Sequence, residues 1–150
     1  QNIDLNALLQ SLQADLQDMG ATIPLNGRAS RPVSGYARSL KRCIQNLLEN
    51  AVRYACNVQV LVDEHRDGLS ITVRDSGPGI AAQQLTQVLE PFYRLESSRN
   101  SRSGGYGLGL SIAHTVAVAH GVTLTLHNRP EGGLDALLTL KSQAPAITGQ

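Results

Sequence analysis

Three short stretches combine residue types and spacings that can do chemistry. In the first, Asn46 and Asn50 are four residues apart and share one helix face, with Arg53 and Tyr54 continuing it. A carboxamide oxygen is a hard, neutral ligand that suits a Mg²⁺ ion already carrying phosphates and waters. A guanidinium suits phosphate oxygens. The plainer reading is a solvated helix face, although Asn is a weak helix former.

The second stretch is RDSGPGI, residues 74–80. Asp75 stands where an alternating strand ends, and Gly77 and Gly79 let the backbone approach a flat ligand closely. A buried carboxylate there accepts a hydrogen bond from an exocyclic amine such as that of adenine. The plainer reading is a tight turn, where Asp, Ser, Gly and Pro are common. Residues 77–82 also match G-x-G-x-x-G/A formally. However, the strand before them is the second arm of a hairpin, no βαβ unit follows, and an acid beside a pyrophosphate is poorly placed.

The third stretch is GGYGLGL, residues 104–110, leading into a helix. Closely spaced glycines and a helix N-terminus expose N–H groups and positive potential, which makes an anion site. No GxxxxGK[ST] is present, so this is not a P-loop. Arg94, Arg99 and Arg102 precede it with Glu96 as the one acid among them, as a basic lid over phosphates requires.

These residues need elements to position them. Residues 5–19 carry Leu5, Leu8, Leu9, Leu12, Leu16 and Met19 at helical spacing and stop at Gly20. Residues 35–55 form the strongest helical stripe, with Leu40, Ile44, Leu47, Leu48, Ala51 and Ala55 opposite the polar face. Short strands are expected at 21–25, 57–64, 69–74, 122–127 and 134–140, the middle pair as a hairpin around a turn at 65–68. A short helix is expected at 81–90 and a mobile Gly/Ser-rich loop at 96–106. A further helix over 108–119 closes at Gly121. This order is α+β, with a mixed, mostly antiparallel sheet covered on one face by helices.

Composition narrows the choices. The chain has 150 residues, 41% of them apolar, enough for one packed domain over 1–150. Thirteen Lys+Arg against twelve Asp+Glu leave +1, which argues against a dedicated nucleic-acid binder. No apolar run is long enough to span a membrane. With no initiator Met and no signal-peptide pattern, the chain reads as a piece of a longer one. Cys43 and Cys56 stand without a CxxC, so free thiols are expected rather than a disulfide or metal site.

Taken in order, the stretches resemble four nucleotide-binding boxes: an N box in NLLENAVRYA around Asn46 and Asn50, a G1 box in DSGPG from Asp75, an F box in EPFYR from Glu90, and a G2 box in GGYGLGL from Gly104. The whole is similar to the catalytic, ATP-binding domain of bacterial sensor histidine kinases, within the gyrase, chaperone, kinase and mismatch-repair ATPase superfamily. The resemblance covers residues 3 to 141 and implies the Bergerat fold, a two-layer α/β sandwich with about three helices over a mixed sheet. It implies ATP and Mg²⁺ as ligands, with Asn50 on the metal and Asn46 supporting it. Arg53 and Tyr54 would approach the phosphates and the nucleotide edge. Asp75 would bond the adenine amine, with Gly77, Gly79 and Ile80 shaping that pocket. Phe92 would anchor the lid, Tyr93 beside it would belong to the nucleotide-binding set, and Arg94 and Arg99 would be candidates for phosphate contact. Gly105, Gly107 and Gly109 would wrap the triphosphate, with Tyr106, Leu108 and Leu110 beside them also in the nucleotide-binding set. Tyr106 departs from the small residue usual there.

The resemblance also implies partners outside the chain. The phosphoacceptor His would lie on a separate dimerisation hairpin, because His65, His114, His120 and His127 do not sit in an acceptor-like context. A response regulator would follow downstream. The full protein would be a homodimer anchored in the inner membrane with this domain in the cytoplasm, and the fragment a monomer. A hydrolytic relative would need a Glu base four residues before the metal Asn. Asn46 occupies that position, and Glu49 is about 100° round the helix from Asn50. An anti-sigma-type serine kinase and a non-catalytic nucleotide sensor are the remaining alternatives on this fold.

Overall fold

A computed structural model describes residues 2–55, 57–66, 68–80, 85 and 108–141. The elements run β1 (Asn2–Ile3), α1 (Leu5–Asp18), β2 (Leu25–Asn26), β3 (Val33–Ser34), α2 (Ala37–Tyr54), β4 (Gln59–His65), β5 (Gly68–Arg74), α3 (Leu108–Ala119), β6 (Thr123–Asn128) and β7 (Leu134–Lys141). A five-stranded sheet has the order β2-β4-β5-β7-β6, and β1 pairs with β3 in a small separate ladder. β2 lies parallel to β4 and the other neighbours in the large sheet are antiparallel. This is the α+β, mixed-sheet sandwich expected from the element order.

The registers show how the alternating sequence becomes a core. Val60, Val73, Ala136 and Leu126 form one row across the sheet, and Val62, Ile71, Leu138 and Leu124 form the next. All eight are buried, as are the leucines of α1 and the stripe of α2 from Leu40 to Ala51. Burying such side chains is the main favourable term in folding. α2 packs against α3, with Cys43 donating its thiol hydrogen to the carbonyl of Ala113 at 3.4 Å.

Helix ends follow from local chemistry. The Asp4 side chain caps α1 by accepting from the Ala7 N–H at 3.1 Å. α1 and α3 each end in a glycine with positive φ, Gly20 (+95°) and Gly121 (+73°). The N–H of the residue after each glycine returns to a carbonyl in the last turn, Ala21 to Leu16 and Val122 to Ala117.

The structure corrects several boundaries. Met19 is 70% exposed, because it is the residue at which α1 ends and lies beyond the buried leucine stripe. The strand expected at 21–25 is reduced to Leu25–Asn26, since Pro24 has no N–H to give and enters the sheet only as an acceptor for Val60. Strand β4 begins at Gln59 because Asn57 adopts φ +53°. His65 and Gly68 belong to the ladder rather than to the turn. β5 is buried on both faces. Its second face carries Thr72 between Leu61 and Leu137 of the flanking strands, so simple alternation does not describe it. The helix expected at 81–90, Leu85 excepted, and the loop at 96–106 lie outside the described residues.

Candidate functional site

The end of α2 and the segment that follows β5 meet at one place. A methyl group built on Gly77 would stand 2.5 Å from the Cβ of Ala55 and 3.3 Å from Oδ1 of Asp75. Only a residue without a side chain lets the loop pass the helix end this closely. Asn50 lies five residues earlier on α2, about 7.5 Å along its axis.

Asp75 is the centre of the loop. Its side chain is buried (2% exposed) at the point where the chain leaves β5. Oδ1 accepts the N–H groups of Gly77 at 2.8 Å and Leu134 at 3.2 Å. Among the described residues no hydrogen bond reaches Oδ2. Burial pushes this carboxyl above the usual carboxylate range, while the two N–H donors and the Arg129 charge hold back part of the shift. Asp75 therefore presents one satisfied oxygen and one buried oxygen with acceptor capacity left, the condition for taking a donor from a ligand.

The β6–β7 turn grips the same loop. Asn128 accepts from the Ile80 N–H at 3.0 Å and donates its own amide to the Ile80 carbonyl at 2.5 Å. Gly79 (φ +75°) lies so near that a Cβ there would be 2.6 Å from the Asn128 side-chain oxygen. Gly133 (φ +104°) lies against the main chain of Asp75 and Ser76, with no room for a side chain. Arg129 donates to the Asp75 carbonyl at 3.0 Å. Asn128, Arg129 and Gly133, between the strands expected at 122–127 and 134–140, are supports of the loop that the sequence reading does not single out. The available signal was the adjacent glycines Gly132 and Gly133 between two strands, a mark of close backbone approach.

On α2 the polar face is less open than its sequence suggests. Asn50 is only 8% exposed, Asn46 is half-buried and Arg53 is exposed. Of the three, Arg53 is the one fully displayed to solvent. Asn50 lies about 60° round the helix from buried Leu47, at the border of the apolar stripe. Among the described residues no hydrogen bond reaches the Asn50 carboxamide, so a buried polar group stands ready for a ligand. Glu49 takes a hydrogen bond from Gln45 on the same helix at 3.0 Å, which holds its carboxylate along α2.

Leu108, Gly109 and Leu110 form the first turn of α3, with the Leu110 side chain buried in the core. A ligand at this turn would meet the Leu110 main chain rather than its side chain. Phe92, Tyr93, Arg94, Arg99, Gly105, Tyr106 and Gly107 lie outside the described residues, as do Cys56 and the side chain of Tyr54. Cys43 is a free, buried thiol. The histidines are dispersed. His65 pairs with Ser70 Oγ at 3.1 Å, His114 is on α3, His120 meets Tyr36 edge-on with ring centres 5.2 Å apart, and His127 is at the exposed end of β6.

Comparison with known proteins places this arrangement. Residues 35–144 match the family model described as histidine kinase-, DNA gyrase B- and HSP90-like ATPase. The chain is 40% identical over 140 residues to the sensor histidine kinase GtrS of Pseudomonas aeruginosa, covering 93% of this chain and 28% of that protein. It is 32% identical over 135 residues to the sensor histidine kinase CpxA of Escherichia coli, covering 89% of this chain and 30% of that protein. The chain thus spans under a third of the curated relatives it matches. Among solved structures it superposes on the mycobacterial sensor histidine kinase MprB with a TM-score of 0.77 at 22% identity, covering 97% of this chain and 99% of the other. The ATP-binding domain of PrrB from Mycobacterium tuberculosis gives 0.76 at 25% identity, covering 95% and 97%.

Proposed function

The chain belongs to the family of histidine kinase-, DNA gyrase B- and HSP90-like ATPases, and on that premise we propose that it is the Mg·ATP-binding catalytic domain of a two-component sensor histidine kinase. It donates the γ-phosphoryl group of ATP to a histidine on a separate dimerisation domain. The observation that carries this reading is the buried Asp75 carboxylate, beside the helix that bears buried Asn50, with Oδ2 of the one and the carboxamide of the other unbonded among the described residues. The kinase assignment is supported by relatives named as sensor histidine kinases.

In this reading Asp75 takes the adenine amine, and Gly77, Gly79 and Ile80 form the wall against the base. Asn50 offers its amide oxygen to Mg²⁺, with Asn46 one turn earlier supporting it. A single neutral protein oxygen suits an ion that keeps phosphate and water ligands. When bound, the ion neutralises phosphate charge. Arg53 and Tyr54 face the phosphates, and Phe92, Tyr93, Arg94 and Arg99 belong to the lid. Gly105, Tyr106, Gly107, Leu108, Gly109 and Leu110 supply main-chain donors to the triphosphate. Phosphoryl transfer of this kind depends on positioning and charge stabilisation more than on covalent help from the protein.

Hydrolysis is disfavoured by the residues present. Asn46 cannot act as a base at neutral pH, and Glu49 is engaged by Gln45. The full protein is proposed to be a homodimer at the inner membrane, with this domain on the cytoplasmic side and a response regulator downstream. Among the described residues no helix is long and apolar enough to cross a membrane. The test supplies the purified chain with γ-labelled ATP, Mg²⁺ and a dimerisation domain bearing the acceptor histidine. Acid-labile label on that domain is expected. Label on serine, or release as free phosphate at the same rate, overturns the reading.

A further inference from the structure

Strand β5 leaves the sheet by an exchange of hydrogen-bond partners. In an antiparallel pair, two opposed residues that bond do so twice, each N–H to the other's carbonyl. Arg74 is opposite Asp135, so Asp75 comes opposite Leu134. The Asp75 N–H does bond to the Leu134 carbonyl at 3.0 Å. The return bond is different: the Leu134 N–H goes to the Asp75 carboxylate at 3.2 Å instead of its main-chain carbonyl. The displaced carbonyl takes the Nη1 hydrogen of Arg129 at 3.0 Å.

Arg129 is itself held in place. Its main-chain N–H bonds to the Gly133 carbonyl at 2.9 Å, and its guanidinium lies 4.0 Å from Asp135 and 3.8 Å from Glu131. Asp135 is fixed in turn by a two-pronged bond to Arg74, at 2.8 and 2.9 Å. Without Arg129 the Asp75 carbonyl would be left unpaired, or would reclaim the Leu134 N–H and release the carboxylate. Buried acceptors are rarely left unpaired, so the second course is favoured.

We propose that Arg129 is a positioning residue for nucleotide selection: by holding the Asp75 carbonyl it keeps the Asp75 carboxylate on the Leu134 N–H, with its other oxygen aimed at the base. The inference rests on the reading of Asp75 as the adenine acceptor. It adds a residue from the far end of the chain that touches neither nucleotide nor metal. The positive charge of Arg129 also holds back part of the rise that burial causes in the Asp75 carboxyl. The other charged groups of this network are Asp135, which acts on Asp75 in the opposite sense, Arg74, which is paired with Asp135, and Glu131, which lies near Arg129.

Two substitutions separate the parts of the role. Arg129→Gln removes the charge and shortens the donor, and Arg129→Lys keeps the charge. Mg·ATP and Mg·GTP binding is measured by calorimetry across about pH 5 to 8 for the full chain, both variants and Asp75→Asn, with thermal unfolding confirming that each folds. The fall in ATP affinity on acidification is expected to begin at higher pH in Arg129→Gln and at the native pH in Arg129→Lys. Titration of the nucleotide is common to all and cancels. Arg129→Met is expected to lose roughly tenfold in ATP affinity and part of the preference over GTP. Native ATP affinity and native preference over GTP in folded Arg129→Met, titrated alongside the others, overturn the inference. Unchanged ATP binding in Asp75→Asn would instead overturn the adenine-acceptor reading beneath it.

Discussion

Gly77 and Ala55 approach so closely that a methyl group on Gly77 would overlap the Ala55 side chain at 2.5 Å. This packing brings the end of α2 to the loop after β5, joining two stretches that are well separated in the chain. Gly77→Ala must move one of them. The expected result is a destabilisation of ~1–3 kcal/mol, typical of overpacking, together with weaker ATP binding. Unfolding and titration of the same sample test both, and native affinity in Gly77→Ala would show that this junction does not shape the site.

Asn128 holds the loop from the other side, through two hydrogen bonds to the main chain of Ile80. Asn128→Ala removes both and leaves the Ile80 groups to find other partners. A stability loss of ~1–3 kcal/mol is expected for these unsatisfied groups. Amide hydrogen exchange should also rise first at residues 76–80, and uniform protection across that segment would contradict the clamp.

Asp75 sets function against stability. Burial raises its carboxyl above the unfolded value, so the folded chain holds that proton more tightly than the unfolded chain. The resulting stabilisation is complete below the unfolded value of ~3.9 and is lost as pH rises through the folded one. At neutral pH the fold bears the cost of a buried charge. Asp75→Asn is expected to melt at the same or a higher temperature than the native chain at neutral pH, with the advantage shrinking on acidification. The same substitution should weaken ATP binding by ~1–3 kcal/mol. Scanning calorimetry across the acid range checks the first part, and a lower melting point for Asp75→Asn at neutral pH with a higher one in acid would reverse the sign.

Much of this was legible in the sequence because it depends on local periodicity. The leucines of α1, the stripe of α2 from Leu40 to Ala51 and the alternating valines of β4 bury the side chains their spacing selects. Asp75 was also legible, as a carboxylate at a strand end just before two glycines. What could not be read depends on partners remote in sequence. Asn128 and Arg129 reach the loop from 48 and 54 residues away, and no local pattern encodes that meeting. Asn6 likewise clasps the main chain of Ala29 from 23 residues away. Burial of Asn50 was missed for a related reason, since a helical wheel gives its angle from Leu47 but not what packs over that border.

Cys43 should be chemically quiet. Burial pushes its thiol up to about 12, and the hydrogen is donated to the Ala113 carbonyl. Since the thiolate is the nucleophile, a Cys56→Ser chain is expected to resist iodoacetamide at neutral pH when folded and to react fully in denaturant. Alkylation of folded Cys56→Ser protein at the rate of a free peptide thiol would contradict the packing of α2 on α3.

The most direct test of the chain as an Mg·ATP-binding domain is a calorimetric titration with ATP, with and without Mg²⁺, on the native chain and Asn50→Ala. The native chain is expected to bind ATP and to gain affinity from Mg²⁺, and Asn50→Ala to keep its fold and lose that gain. A folded native chain that binds no ATP, or an Asn50→Ala chain that retains the full Mg²⁺ dependence, would contradict it.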